Sequence, residues 1–187
     1  MEIPPDLVEA CRRGDVKAFE ALVRATERQV YTVVYRIVGN HDDAADVAQE
    51  VYLKVWKAIR QFRGDAAVTS WLYRVATNAA IASLRKRGRL ADPVEPDRLA
   101  EIEAPAVTPA VDTGDVEQAL TRLPAAYRTV LVMRETYGMS IEEIAKQMGS
   151  STGAAKVRLH RARLRLADEL ERAGVVVPLQ RRGKKTS

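Results

Sequence analysis

Between Leu90 and Gly114 the sequence LADPVEPDRLAEIEAPAVTPAVDTG carries four prolines and no sustained periodicity. Each proline lacks an amide donor and clashes with the preceding helical turn, so no regular helix crosses this interval. Residues 92–117 also hold eight Asp/Glu against one Arg. Such a stretch reads as an extended, charge-repelled linker, either a passive tether or an acidic strap for a partner's basic channel. The chain must therefore fold in two pieces, each burying its own apolar face. The expected organisation is a first domain over residues 1–89, a linker over 90–114, a second domain over 115–173 and a basic, disordered tail over 174–187.

No run of alternating residues between turn signals marks a strand, so the expected class is all-α, two small helical domains joined by the acidic, Pro-rich linker. Residues 6–13 read as a short helix closed by Gly14. Asp15 can cap the next helix, in which Phe19, Leu22, Val23, Val30, Val34 and Ile37 recur at roughly helical spacing until Gly39-Asn40 ends it. Asp42 or Asp43 is expected to cap a third helix. Its core stripe reads Ala48, Val51 or Tyr52, Val55 and Ile59. Asp46, Gln49, Glu50 and Leu53 form a second set at i, i+3, i+4, i+7. That set is either a solvated face or an acidic-amide patch with an apolar tip, suited to a basic helical partner.

The stretch Phe62 to Arg89 opens with a polar loop, after which Thr69 or Ser70 is expected to cap a helix. Leu72, Val75, Ala76 and Ala79 form a core-facing stripe. Trp71, Arg74, Asn78 and Arg85 fall on the opposite face, and Arg85, Lys86, Arg87 and Arg89 end the helix with four cations in five residues. An aromatic surface, a forked amide and guanidiniums on one face suit unpaired bases, base edges and phosphates. The same residues also fit a buried Trp anchor beside a solvated basic helix end.

In the second domain, VEQALTRL is a helix stopped by Pro124, and AAYRTVLVMRETYG is another ending at Gly138. Ser140 and Glu143 have the spacing of a capping box, followed by apolar Ile141, Ile144, Ala145 and Met148 and a turn at Gly149. Ser151 caps a longer helix whose core stripe is Ala155, Leu159, Ala162, Leu166 and Leu170. Ala154, Arg158, Arg161 and Arg165 lie roughly opposite, with Lys156 and Arg163 flanking. This is helix-turn-helix grammar, in which a small residue allows approach to a groove and arginines read guanine edges or grip phosphate. A helix that exposes arginines only for solubility is the plainer alternative.

Net charge is +5, and residues 151–187 hold ten Lys/Arg against three Asp/Glu, which favours an anionic partner. Cys11 is the single cysteine and cannot form an intramolecular disulfide; with only His41 and His160 beside it, no metal site is expected. No cofactor or catalytic constellation is visible, and the chain is not expected to be an enzyme. No apolar run reaches the roughly 18–20 residues that span a bilayer. The N-terminus MEIPPDLVEA lacks a signal peptide's basic start and apolar core. The expectation is a soluble cytoplasmic protein with no stable membrane insertion.

Taken together, roughly residues 15–170 resemble a bacterial RNA polymerase sigma factor of the extracytoplasmic-function (ECF) group. Asp46-Val-Ala-Gln49-Glu50-Val-Tyr-Leu53-Lys-Val-Trp56 resembles the family's region 2.2 helix. Phe62-Arg63-Gly64, then Ser70-Trp71-Leu72-Tyr73-Arg74-Val75-Ala76-Thr77-Asn78, resembles regions 2.3 and 2.4. Leu123-Pro124 with Tyr127-Arg128 resembles the opening of region 4, and Gly153 to Arg163 its recognition helix. The resemblance implies a subunit that binds core RNA polymerase, with Asp46, Gln49, Glu50 and Leu53 docking on the clamp helices of the largest subunit. It implies −10 recognition and capture of the melted non-template strand by Arg63, Trp71, Arg74, Asn78 and Arg85. It implies −35 recognition by Ala154, Lys156, Arg158, Arg161 and Arg165, and regulation by an anti-sigma factor. Two positions depart from the family's pattern. Ala82 stands where an acidic residue is common, and Val157 where serine is common, which bears on promoter sequence rather than on class. A polymerase-independent helix-turn-helix regulator binding duplex DNA is the alternative, although it leaves the Trp71 face without a role. A recombinase-like enzyme would need a nucleophile that is not evident.

Overall fold

The computed structural model describes residues 3–64, 67–90 and 113–175. The chain divides into two compact units, Met1–Leu90 and Ala91–Ser187. All regular structure among the described residues is helical. Most of the interval read as linker, residues 91–112, and the tail from 176 onward lie outside the described residues. The end of that interval does not: Thr113 and Gly114 already belong to the first helix of the second unit.

The first unit is built from α1 (Pro5–Arg12), α2 (Val16–Val38), α3 (His41–Ala58) and α4 (Val68–Lys86), with a single 3-10 turn at Ile59–Gln61. Pro5 occupies the first turn of α1, where a missing amide costs nothing. Asp15 caps α2, its carboxylate accepting from the Ala18 amide at 3.1 Å. The α2 helix packs against α3 and α4. Leu22, Val30, Val34 and Ile37 are buried in that contact, while Phe19 and Val23 are half-buried at its edge. Thr26 is buried yet satisfied, donating to the Leu22 carbonyl at 2.7 Å and lying 2.9 Å from the Tyr52 hydroxyl. Burial pushes Tyr52 up to about 12, against the opposing effect of its hydrogen bond with Thr26.

The third helix is capped by neither Asp42 nor Asp43. Asn40 is the cap, its side-chain oxygen accepting from the Asp43 amide at 3.0 Å. Asn caps as well as Asp and stands first after the left-handed Gly39, so the helix starts one residue later, at His41. Val47, Val51, Val55 and Ile59 are buried, whereas Ala48 and Tyr52 are half-buried. Thr69 and Ser70 do not cap α4. Its cap position is Ala67 with no side-chain bond, and both residues lie inside the first turn. Val68 is half-buried, and this tertiary contact carries the helix back past the residues able to cap it.

The second unit contains α5 (Thr113–Arg122), α6 (Ala125–Leu131), α7 (Ile141–Met148) and α8 (Thr152–Arg172). Helix α6 continues as a π-helical turn over Val132–Thr136. Every residue from Ala126 to Met133 is buried, so this segment is the unit's centre, with α8 packed against α5, α6 and α7. Arg128 lies within that core at 5% exposure. Its Nη1 donates to the Thr121 and Leu123 carbonyls, each at 3.2 Å, and so closes the C-terminus of α5. The capping box at the start of α7 is complete in both directions, Glu143 amide to Ser140 Oγ at 3.1 Å and Ser140 amide to Glu143 Oε2 at 2.9 Å. Gly149 then makes the turn at φ 62°, and Ser151 caps α8 through the Ala154 amide.

Candidate nucleic-acid and polymerase interfaces

Three surfaces follow from which helix faces the cores consume. On α3 the buried side is Ala44, Val47, Val51 and Val55. The remaining side presents Asp46, Gln49, Glu50 and Leu53, all exposed. Leu53 is 64% exposed, an apolar side chain left largely in water by the described residues of its unit. Lys54 sits 3.8 Å from Glu50 along the helix, an exposed pair that leaves the patch predominantly acidic. Trp56, one turn on, is not part of it, because its ring meets Phe19 edge-on at 4.8 Å.

On α4 the core takes Leu72, Ala76, Thr77, Ala79, Ala80, Ile81 and Leu84. Arg74, Asn78 and Arg85 are exposed opposite, as is Ala82. Trp71 is half-buried rather than fully outward, its ring resting on Phe62 with centroids 5.3 Å apart. The ring is thus anchored on one side and remains partly exposed. Arg63 is exposed in the preceding loop, of which Asp65 and Ala66 lie outside the described residues. A cavity of about 600 Å³ opens beside this loop, between Phe62, Gly64 and Thr69 on one side and Val8, Glu9 and Arg12 of α1 on the other.

The four-cation end of α4 is not four equivalent cations. Gly88 adopts φ 67°, and the Arg89 amide reaches the Leu84 carbonyl at 2.9 Å while the Gly88 amide reaches Arg85 at 3.0 Å. This Schellman turn folds the chain back, so that Arg87 and Arg89 both meet the carboxylate of Asp43. Arg85 and Lys86 stay exposed on the helix itself.

On α8 the core stripe Ala155, Leu159, Ala162, Leu166 and Leu170 is buried throughout. Ala154, Lys156 and Arg165 are exposed, whereas Arg158, Arg161 and Val157 are half-buried. Arg158 bends back over the turn, its Nη1 3.4 Å from Ser150 Oγ and 3.6 Å from Met148 Sδ. Arg163 is committed to Glu135 of the π-helical turn, through Nε at 3.0 Å and Nη2 at 2.5 Å. Sequence reasoning missed Asp43 and Glu135 as partners of these arginines, and it missed Arg128 as the buried residue that closes α5. Only Arg128 left a signal, a lone cation in the otherwise uncharged run Ala125 to Met133.

Among the described residues no three His, Cys, Asp or Glu side chains cluster as metal ligands, and no helix is long and apolar enough to cross a membrane. A family model of sigma-70 region 2 matches residues 22–90, and one of sigma-70 region 4 matches residues 113–166. The chain is 38% identical over 170 residues to the RNA polymerase sigma-H factor of Pseudomonas aeruginosa, covering 84% of this chain and 88% of that protein. It is 33% identical over 180 residues to the ECF RNA polymerase sigma-E factor of Haemophilus influenzae, covering 88% and 94%. Its fold is similar to that of the sigma factor RpoE from Bartonella quintana, solved in complex with the anti-sigma factor NepR. That alignment has a TM-score of 0.56 and 28% identity over 83% of this chain and 98% of that one. The match over residues 22–90 leaves the reading of a duplex-only regulator without support.

Proposed function

The chain belongs to the ECF group of RNA polymerase sigma factors, and from that premise we propose which of its surfaces performs each step of promoter-specific initiation. The α3 patch of Asp46, Gln49, Glu50 and Leu53 docks on the clamp helices of the polymerase's largest subunit. Its acids complement a basic helical surface, and Leu53 supplies the apolar centre. Arg63, Trp71, Arg74, Asn78 and Arg85 engage the −10 element and hold the melted non-template strand. The cavity beside the 62–69 loop has room for an unpaired base. Capture of a base outside the stack offsets part of the few kcal/mol that opening costs. Ala154, Lys156, Arg158, Arg161 and Arg165 read the −35 element from α8. Domain roles divide accordingly: residues 1–89 dock and melt, 90–114 connect, and 115–173 read duplex. The chain works by binding alone, without bond chemistry, in the cytoplasm. An anti-sigma factor holds it inactive, as the partner present in the Bartonella complex suggests.

The observation that carries this reading is the division of α4, whose buried side leaves Arg74, Asn78 and Arg85 outward beside an anchored Trp71. The test is run-off transcription by core polymerase over a genomic library, with and without the chain. Discrete start sites that need the chain, sharing a −35/−10 motif, are expected. Start sites no different from those of core polymerase alone would remove the reading.

A further inference from the structure

We propose that Asp43 is a positioning residue that withholds Arg87 and Arg89 from nucleic acid, so that only part of the cationic end of α4 is available to phosphate. The inference rests on the reading of α4 as the promoter-facing helix. Asp43 is 9% exposed, in the first turn of α3, where the amide-rich helix end already favours a carboxylate. Each of its oxygens takes one guanidinium: Arg87 Nη1 meets Oδ1, and Arg89 Nη1 meets Oδ2 at 2.9 Å. Three formal charges thereby reduce to a net +1. Moving both guanidiniums onto DNA phosphates would strand a buried carboxylate without its cations. Exchange is therefore disfavoured even though Arg89 keeps a side-chain exposure of 54%. The clamp also joins the α3 helix that carries the acidic patch to the point where the chain leaves α4.

The test reads charge rather than fold. The full-length chain is titrated by fluorescence anisotropy against a random-sequence DNA duplex and a random single strand, over a fourfold range of KCl. Each additional phosphate neutralised steepens the slope of log K against log salt by roughly 0.9 on the duplex and roughly 0.7 on the single strand. Asp43→Asn frees both guanidiniums and is expected to gain up to two such units on duplex, and so to lose up to about 12-fold more affinity than the native chain over that range. The gain is expected to vanish in Asp43→Asn/Arg87→Gln/Arg89→Gln. Arg89→Gln alone, which leaves Asp43 its Arg87 partner, is expected to keep the native slope, whereas Arg85→Gln lowers it. An unchanged slope in a folded Asp43→Asn chain overturns the inference, as does a gain that survives in the triple variant. If Asp43→Asn does not fold, Arg89→Gln decides: a loss of slope equal to that of Arg85→Gln overturns it. A native slope retained in Arg85→Gln counts instead against α4 as the DNA-facing helix.

Discussion

Leu53→Ala separates docking from folding more cleanly than any charge change. Leu53 is 64% exposed on α3 and contributes little to its own unit's core. Alanine is the better helix former, so the folded state should change by no more than about 0.5 kcal/mol. Fully burying a leucine is worth about 1.5–3 kcal/mol, so the exposed share leaves about 1–2 kcal/mol to be gained in a complex. Its loss corresponds to roughly a 5- to 30-fold weaker Kd for core polymerase. The assay is competition of the variant against fluorescently labelled native chain for core polymerase, with thermal melting followed by circular dichroism. A Kd within twofold of native at unchanged Tm would refute the assignment of this surface. A large fall in Tm would refute the premise that Leu53 stands outside the core.

Arg128→Met removes both donors that close α5, each hydrogen bond from a charged group being worth about 1.5–3 kcal/mol. A loss of about 3–6 kcal/mol is expected in urea unfolding, with Arg128→Lys recovering part of it; a loss below about 0.5 kcal/mol would contradict the capping role. Arg158→Ala is expected to weaken binding to the preferred −35 duplex more than to random duplex, by about 1–3 kcal/mol, while Arg165→Ala weakens both alike and flattens the salt dependence. Equal loss of specificity in the two variants would overturn that division.

Much of the fold is legible because apolar spacing and caps are local properties. Asp15, Ser140, Glu143 and Ser151 cap where the pattern places them. The core stripe of α8 is likewise the one its spacing predicts. Caps fail where tertiary contacts or a nearer competitor decide. Asn40 precedes Asp42 and Asp43, and half-buried Val68 carries α4 past Thr69 and Ser70. The surfaces are legible as faces but not as free charges. The sequence puts Arg87 and Arg89 in one cationic run with Arg85, and Arg163 at the flank of the α8 arginines, yet their partners Asp43 and Glu135 lie 44, 46 and 28 positions away. No local pattern reports such pairs. Trp71 shows the same limit, since its place on the outward face says nothing of the Phe62 ring that half covers it.

The central claim is that the outward face of α4 holds melted promoter DNA, and permanganate footprinting of the −10 region on holoenzyme tests it most directly. Asn78 is exposed, so Asn78→Ala should leave Tm and −35 duplex binding nearly unchanged. Thymine reactivity is expected to appear more slowly than with native chain on a double-stranded promoter. A template with a pre-melted −10 bubble is expected to recover part of the loss. Reactivity appearing at the native rate on the double-stranded promoter would contradict the claim.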